Sequence, residues 1–115
     1  MGLTVKKSDK KDLYDAVKKD TSELEVLTKA VEEFNELQYE LSHAVVKMLH
    51  GNMIDYDHKK RIISEIADVI NTLEQQTDDM SIYDQVGDEI NRKLDRLETM
   101  KKEGKLSKGI YAKNN

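Results

Sequence analysis

Apolar residues recur every three or four positions along most of this chain, the signature of helices with one apolar stripe. Leu24, Leu27, Val31, Phe34, Leu37, Leu41, Val45 and Met48 form one continuous series. It predicts a long helix over about 22–50. Ser22-Glu23-Leu24-Glu25 reads as a capping box at its start, and Gly51 supplies the natural stop. A second series, Ile62, Ile63, Ile66, Val69, Ile70 and Leu73, predicts a helix capped by Asp55 or Asp57 and ending near Asp78–Asp79. A third, Ile82, Val86, Ile90, Leu94, Leu97 and Met100, predicts a last helix capped by Ser81 with Asp84, and stopped by Gly104. Ahead of these, a short accessory helix is expected from Ser8 or Asp9 to about Lys19, with only Leu13, Tyr14, Ala16 and Val17 to pack. Short connections make consecutive helices antiparallel neighbours. The expected fold is therefore all-α, an antiparallel four-helix bundle in one domain over 1–115. Residues 1–21 form its accessory segment, 22–103 its helical core and 104–115 a polar tail.

Composition refines that picture. The chain has 115 residues, no proline, 5% aromatic and 37% charged residues, which suits a helical bundle better than a β-sandwich. The hydrophobic share of 37% is lean for a small domain, so the core is expected to be completed by oligomerisation. Nineteen basic against 23 acidic residues leave a net charge of −4, which argues against a nucleic-acid partner. No apolar run approaches a membrane span, the first eleven residues lack an apolar signal core, and there is no cysteine. Cytoplasmic localisation is the expectation, and disulfides and thiolate metal sites are excluded.

The candidate chemistry lies in a repeated local pattern. Glu33-Phe34-Asn35-Glu36-Leu37 and Glu65-Ile66-Ala67-Asp68-Val69 both read acid, apolar, any, acid, apolar. Acids three apart sit about 60° from each other around a helix, so each pair shares one strip. If the two helices pack antiparallel through their apolar stripes, the strips converge and four carboxylates meet. Such a group needs a cation, and hard oxygen donors suit Mg²⁺, with Mn²⁺ as a substitute. Magnesium favours phosphate oxygens as its remaining ligands. Glu40, one turn beyond Glu36, is a further candidate ligand or water-activating base. Lys47 beyond it is a candidate phosphate contact, and Asn71, one turn after Asp68, a candidate hydrogen-bond partner for a ligand oxygen.

Glu33-x-x-Glu36 and Glu65-x-x-Asp68 on consecutive helices, in the texts KAVEEFNELQYEL and SEIADVINTL, resemble the all-α NTP pyrophosphohydrolases of the MazG-like superfamily. Asn91-Arg92-Lys93-Leu94-Asp95-Arg96 is similar to the Asn-x-Lys-Phe-x-Arg stretch of those proteins, with leucine for phenylalanine. The resemblance covers about residues 22–103. It implies that Glu33, Glu36, Glu65 and Asp68 hold Mg²⁺ and that a nucleoside triphosphate is cut between its α and β phosphates, releasing pyrophosphate. It also implies that Lys93 and Arg96 meet phosphates, that Asn91 hydrogen-bonds substrate, and that the chain forms a homodimer or homotetramer. Nucleotide-pool house-cleaning is the expected role.

Two other readings compete. Glu40-Leu41-Ser42-His43 is a literal Glu-x-x-His, and Asp55-Tyr56-Asp57-His58 a weaker echo of it, as in a ferritin-like carboxylate bundle. Alternatively the stripes serve a partner protein, and the chain is a non-catalytic helical interaction module.

Overall fold

The computed structural model describes residues 10–105. The chain has four α-helices there: α1 (Lys10–Asp20), α2 (Glu23–Leu49), α3 (Tyr56–Asp79) and α4 (Tyr83–Lys102). The expected caps Ser8 and Asp9, and the tail beyond Lys105, lie outside the described residues.

Local chemistry sets the helix ends. The Ser22 side chain accepts the Glu25 N–H at the start of α2. At its end Gly51 takes φ +78°, while Gly51 N–H bonds to Met48 O at 3.0 Å and Asn52 N–H to Lys47 O at 2.9 Å. This pair of bonds is a Schellman motif, and the positive φ favours glycine. Asp55 caps α3 by accepting the His58 N–H at 2.7 Å. Gly104, at φ +66°, closes α4 in the same way, with Lys105 N–H bonded to Met100 O.

The last boundary differs from expectation. Ser81 does not cap α4, whose N-cap is Ile82 with no side-chain cap bond. Ser81 instead follows the C-cap Met80 of α3 at φ +55°, donating its N–H to Asp78 O. It occupies the left-handed position that glycine takes after α2, so it ends one helix rather than starting the next.

α2 and α3 pair antiparallel, with Glu40 meeting His58 and Arg61, and Glu33 and Glu36 grouped with Glu65 and Asp68. The face α2 turns inward is not the expected stripe. Its buried residues are Val26, Ala30, Glu33, Glu40 and Ala44, with Leu37 half-buried between them. These recur at steps of four and three, as do His58, Ile62, Glu65, Val69 and Thr72 on α3. Both series keep a regular seam in contact along two helices. The larger apolar residues of α2 lie outward, with Val31 59%, Met48 61% and Phe34 45% exposed. Small side chains such as Ala30 and Ala44 line the seam, and Glu33, Glu40 and Glu65 lie within it, with Glu36 and Asp68 exposed at its edge.

α1 rests on α3, as an accessory element should, but its attachment is polar. Lys11 pairs with Asp78 at 2.9 Å, the Tyr14 hydroxyl bonds to Glu74, and Gln75 donates to Tyr14 O. Leu13 and Val17 stay exposed. α4 belongs to a second compact unit, which begins at Ile82. On that helix Ile90, Leu94 and Leu97 are exposed, and Arg92 pairs with Glu89 one turn back.

Candidate metal centre

Glu33 and Glu36 are one turn apart on α2, and Glu65 and Asp68 one turn apart on α3. One carboxylate oxygen from each of the four lies within 4.8 Å of the others. Glu33 and Glu65 are inward seam positions; Glu33 is only 6% exposed. Glu36 and Asp68 sit at the exposed rim.

Within the cluster the negative charge is only partly compensated by protein groups. Lys29, one turn before Glu33, reaches Glu33 Oε1 at 2.8 Å, and this bond raises the lysine's pKa. Glu33 Oε2 and Glu65 Oε2 are buried and accept no hydrogen bond. Buried carboxylate oxygens are rarely left so, because their lost hydration is not repaid. The carboxyl of Glu65 is pushed above its ordinary value of 4.5, first by burial, then by the charge of Glu36 and a hydrogen bond shared with it, then by Asp68 and Glu33. Like charges held this close disfavour one another's ionised form.

These donors fit a hard divalent cation. An Mg–O distance of about 2.0–2.1 Å places opposite oxygens of an octahedron about 4.1 Å apart. Four donors on one such ion include at most two opposite pairs, and neighbouring oxygens stand about 2.9 Å apart, so the four side chains, which lie within 4.8 Å of one another, would draw in around it; the two unpartnered buried oxygens are free acceptors.

No family model, curated protein or solved structure gives a significant match to the chain.

Two hollows lie along α2 and α3, one of them lined by two of the four acids. A cleft of about 330 Å³ is lined by Asn35, Glu36, Tyr39, Glu40, Arg61 and Glu65. A pocket of about 440 Å³ lies among α1, α2 and α3, where Val17 and Val26 give it apolar walls and Lys29, Asn71, Thr72 and Gln75 polar ones. Asn71 thus lines this second pocket, which has none of the four acids in its wall but includes Lys29, the partner of Glu33.

Other expected residues are distributed differently. Glu40 is buried, but its carboxylate takes Arg61 Nε at 2.9 and 3.2 Å, and it groups with His43 and His58 rather than with the four acids. Lys47 pairs with Asp55 at 3.7 Å. It is eleven residues beyond Glu36, roughly 16 Å along the helix, so it is not brought to the cluster. Asn91, Lys93 and Arg96 are exposed on α4, with Lys93 and Arg96 one turn apart on that helix.

Arg61 and Lys29 are site residues that sequence reasoning overlooked. Each stands four residues before the first acid of its pair, at Lys29-x-x-x-Glu33 and Arg61-x-x-x-Glu65. That matched i, i+4 spacing is a visible signal. Arg61 uses it differently, crossing the seam to Glu40.

Proposed function

We propose that the chain is a Mg²⁺-dependent nucleoside triphosphate pyrophosphohydrolase, converting NTP or dNTP to the monophosphate and pyrophosphate in nucleotide-pool house-cleaning. One observation carries this reading. Four carboxylates from two facing helices converge within 4.8 Å, and two of their oxygens are buried without a partner. Glu33, Glu36, Glu65 and Asp68 are the residues to hold the metal. Bound there, Mg²⁺ supplies polarisation of the phosphoryl oxygens and neutralises the polyphosphate charge.

The chain's own groups support the remaining tasks. Arg61 lines the cleft beside Glu36 and Glu65 and, bonded to Glu40 only through Nε, is the cation of that cleft suited to a phosphate oxygen. Glu36 and Glu65 line that same cleft and are the carboxylates suited to take the proton of an attacking water. The pocket walled by Val17, Val26, Asn71 and Gln75 combines apolar surface with amide donors and acceptors, as a nucleobase would need. Location of the cut between the α and β phosphates comes with the MazG-like resemblance.

A homo-oligomer belongs to the same proposal. Leu24, Val31, Phe34, Leu41, Val45 and Met48 share the outward side of α2 and are all exposed. A second copy is the simplest surface to cover them.

The test is a pyrophosphate-release screen over ordinary and modified nucleoside triphosphates with Mg²⁺. Release with monophosphate as co-product is expected, lost on chelation and lost in Glu36→Gln and in Asp68→Asn. Both substitutions are at exposed rim positions, so helicity should be unchanged. Parent-like turnover in both variants would end the proposal.

A further inference from the structure

One turn along α2 from Glu36, a second group of donors meets across the seam. Its centre is His58. The Asp55 cap holds His58 in the first turn of α3, where the ring turns inward and is 0% exposed. Its Nε2 lies 3.0 Å from the backbone oxygen of Glu40. A carbonyl oxygen only accepts, so Nε2 is the donor, and the neutral ring then carries its lone pair at Nδ1. That Nδ1 is buried and has no hydrogen-bond partner. A core histidine held purely for packing would have both nitrogens satisfied.

Two further donors stand beside it. Glu40 and His43 are three residues apart, so they share one face of α2. Glu40 is buried, and the His43 ring centroid is 5.2 Å from that of His58. One ligand atom from each of Glu40, His43 and His58 lies within 4.8 Å of the other two. Arg61 occupies part of the Glu40 carboxylate through Nε. A carboxylate has about four lone-pair sites, which leaves acceptor capacity for a second ligand.

We propose that Glu40, His43 and His58 form a second metal site, one that takes Zn²⁺ or a similar first-row transition ion. Two imidazoles and a carboxylate select such ions over Mg²⁺, which prefers the all-oxygen cluster one turn away. The bond from His58 Nε2 to a main-chain carbonyl is the outer contact that orients a metal-ligating histidine and sets its tautomer. Three protein ligands leave a fourth position open. Zn–N bonds of about 2.0–2.1 Å require the donors to draw closer than they stand, and exposed His43 is the side chain free to move. Glu40 also lines the cleft beside the four acids, so an ion here borders the same cleft.

The donors are not those of the four-acid cluster, so this site stands or falls separately from triphosphate hydrolysis. The experiment is calorimetric titration of the full chain with Zn²⁺ in buffer containing millimolar Mg²⁺. It compares the parent with His43→Ala, with His50→Ala as an exposed-histidine control, and with the Glu36→Gln/Asp68→Asn double variant. One Zn²⁺ per chain is expected in the parent, the His50 variant and the double variant. Affinity should fall by at least about tenfold in His43→Ala, the lower end of what disturbing a metal site's supporting shell costs. The ¹⁵N resonance of His58 Nδ1 should shift on Zn²⁺ addition. Equal Zn²⁺ affinity in parent and His43→Ala, loss of binding in the double variant alone, or an unmoved Nδ1 resonance at saturating Zn²⁺ would each overturn the site.

Discussion

Replacing Glu65 with glutamine should stabilise the metal-free protein and, in the same variant, reduce what divalent metal adds. Glu65 is half-buried in the seam, one of its oxygens accepts nothing, and its carboxyl is held above the ordinary range by burial and by three neighbouring acids. The amide is close in shape and uncharged, so the repulsion disappears while packing persists. In the parent, Mg²⁺ at about one hundred times its dissociation constant contributes about 2.7 kcal/mol. For a domain of about 100 residues that raises Tm by roughly 11–22 °C. An amide in place of one of four anionic donors should weaken binding by about tenfold or more. At the same metal concentration the contribution then falls to about 1.4 kcal/mol or less, and the rise in Tm to roughly 6–11 °C. Differential scanning calorimetry in EDTA and in MgCl₂ measures both quantities. Ionic strength must be matched with NaCl, because screening alone relieves some repulsion. A variant that melts lower than the parent in EDTA, yet keeps the whole metal increment, would refute the reasoning.

Further outcomes follow from other contacts. In EDTA, the Glu65 contribution to stability should decline as pH rises from about the ordinary glutamate value of 4.5 through the raised folded one. Over that window the folded state retains a proton that the unfolded chain has lost. Asp55, lowered chiefly by the His58 N–H, and Glu89, lowered chiefly by Arg92, act in the opposite sense, so the readout is the difference between parent and Glu65→Gln in urea midpoints across pH. Ser81→Gly should raise stability by about 0.5–1 kcal/mol, since φ +55° strains a side-chain-bearing residue more than the added glycine freedom costs; an unchanged urea midpoint would contradict this. Arg61→Met should destabilise by about 1–3 kcal/mol by leaving the buried Glu40 carboxylate short of its partner, measured in the same denaturation series. The Val31→Glu/Val45→Glu double variant should sediment as a smaller species than the parent with helicity retained; an unchanged mass would remove the outward face of α2 from the assembly.

Much of the architecture could be read before any coordinates, because it depends on interactions within one or two helical turns. Ser22 and Asp55 cap through bonds to residues three positions on, and Gly51 and Gly104 end their helices by a left-handed φ that glycine adopts freely. The spacing of Glu33 with Glu36, and of Glu65 with Asp68, likewise states that each pair shares a strip, whatever the helix packs against. What packs where is another matter. Most of the strongest apolar stripe of α2 stays exposed, with only Leu27 and Leu37 half-buried, and the seam is built around Ala30, Ala44, Val26 and two glutamates. Helical periodicity ranks faces by hydrophobicity, but close approach of two backbones is decided by side-chain size and by complementarity across the gap. Arg61 reaching Glu40, and His58 reaching the Glu40 carbonyl from eighteen residues away, depend on that approach and leave no local trace. Ser81 shows the same division. As a residue type it suits a helix start, yet the chain's turn between α3 and α4 places it after a helix end.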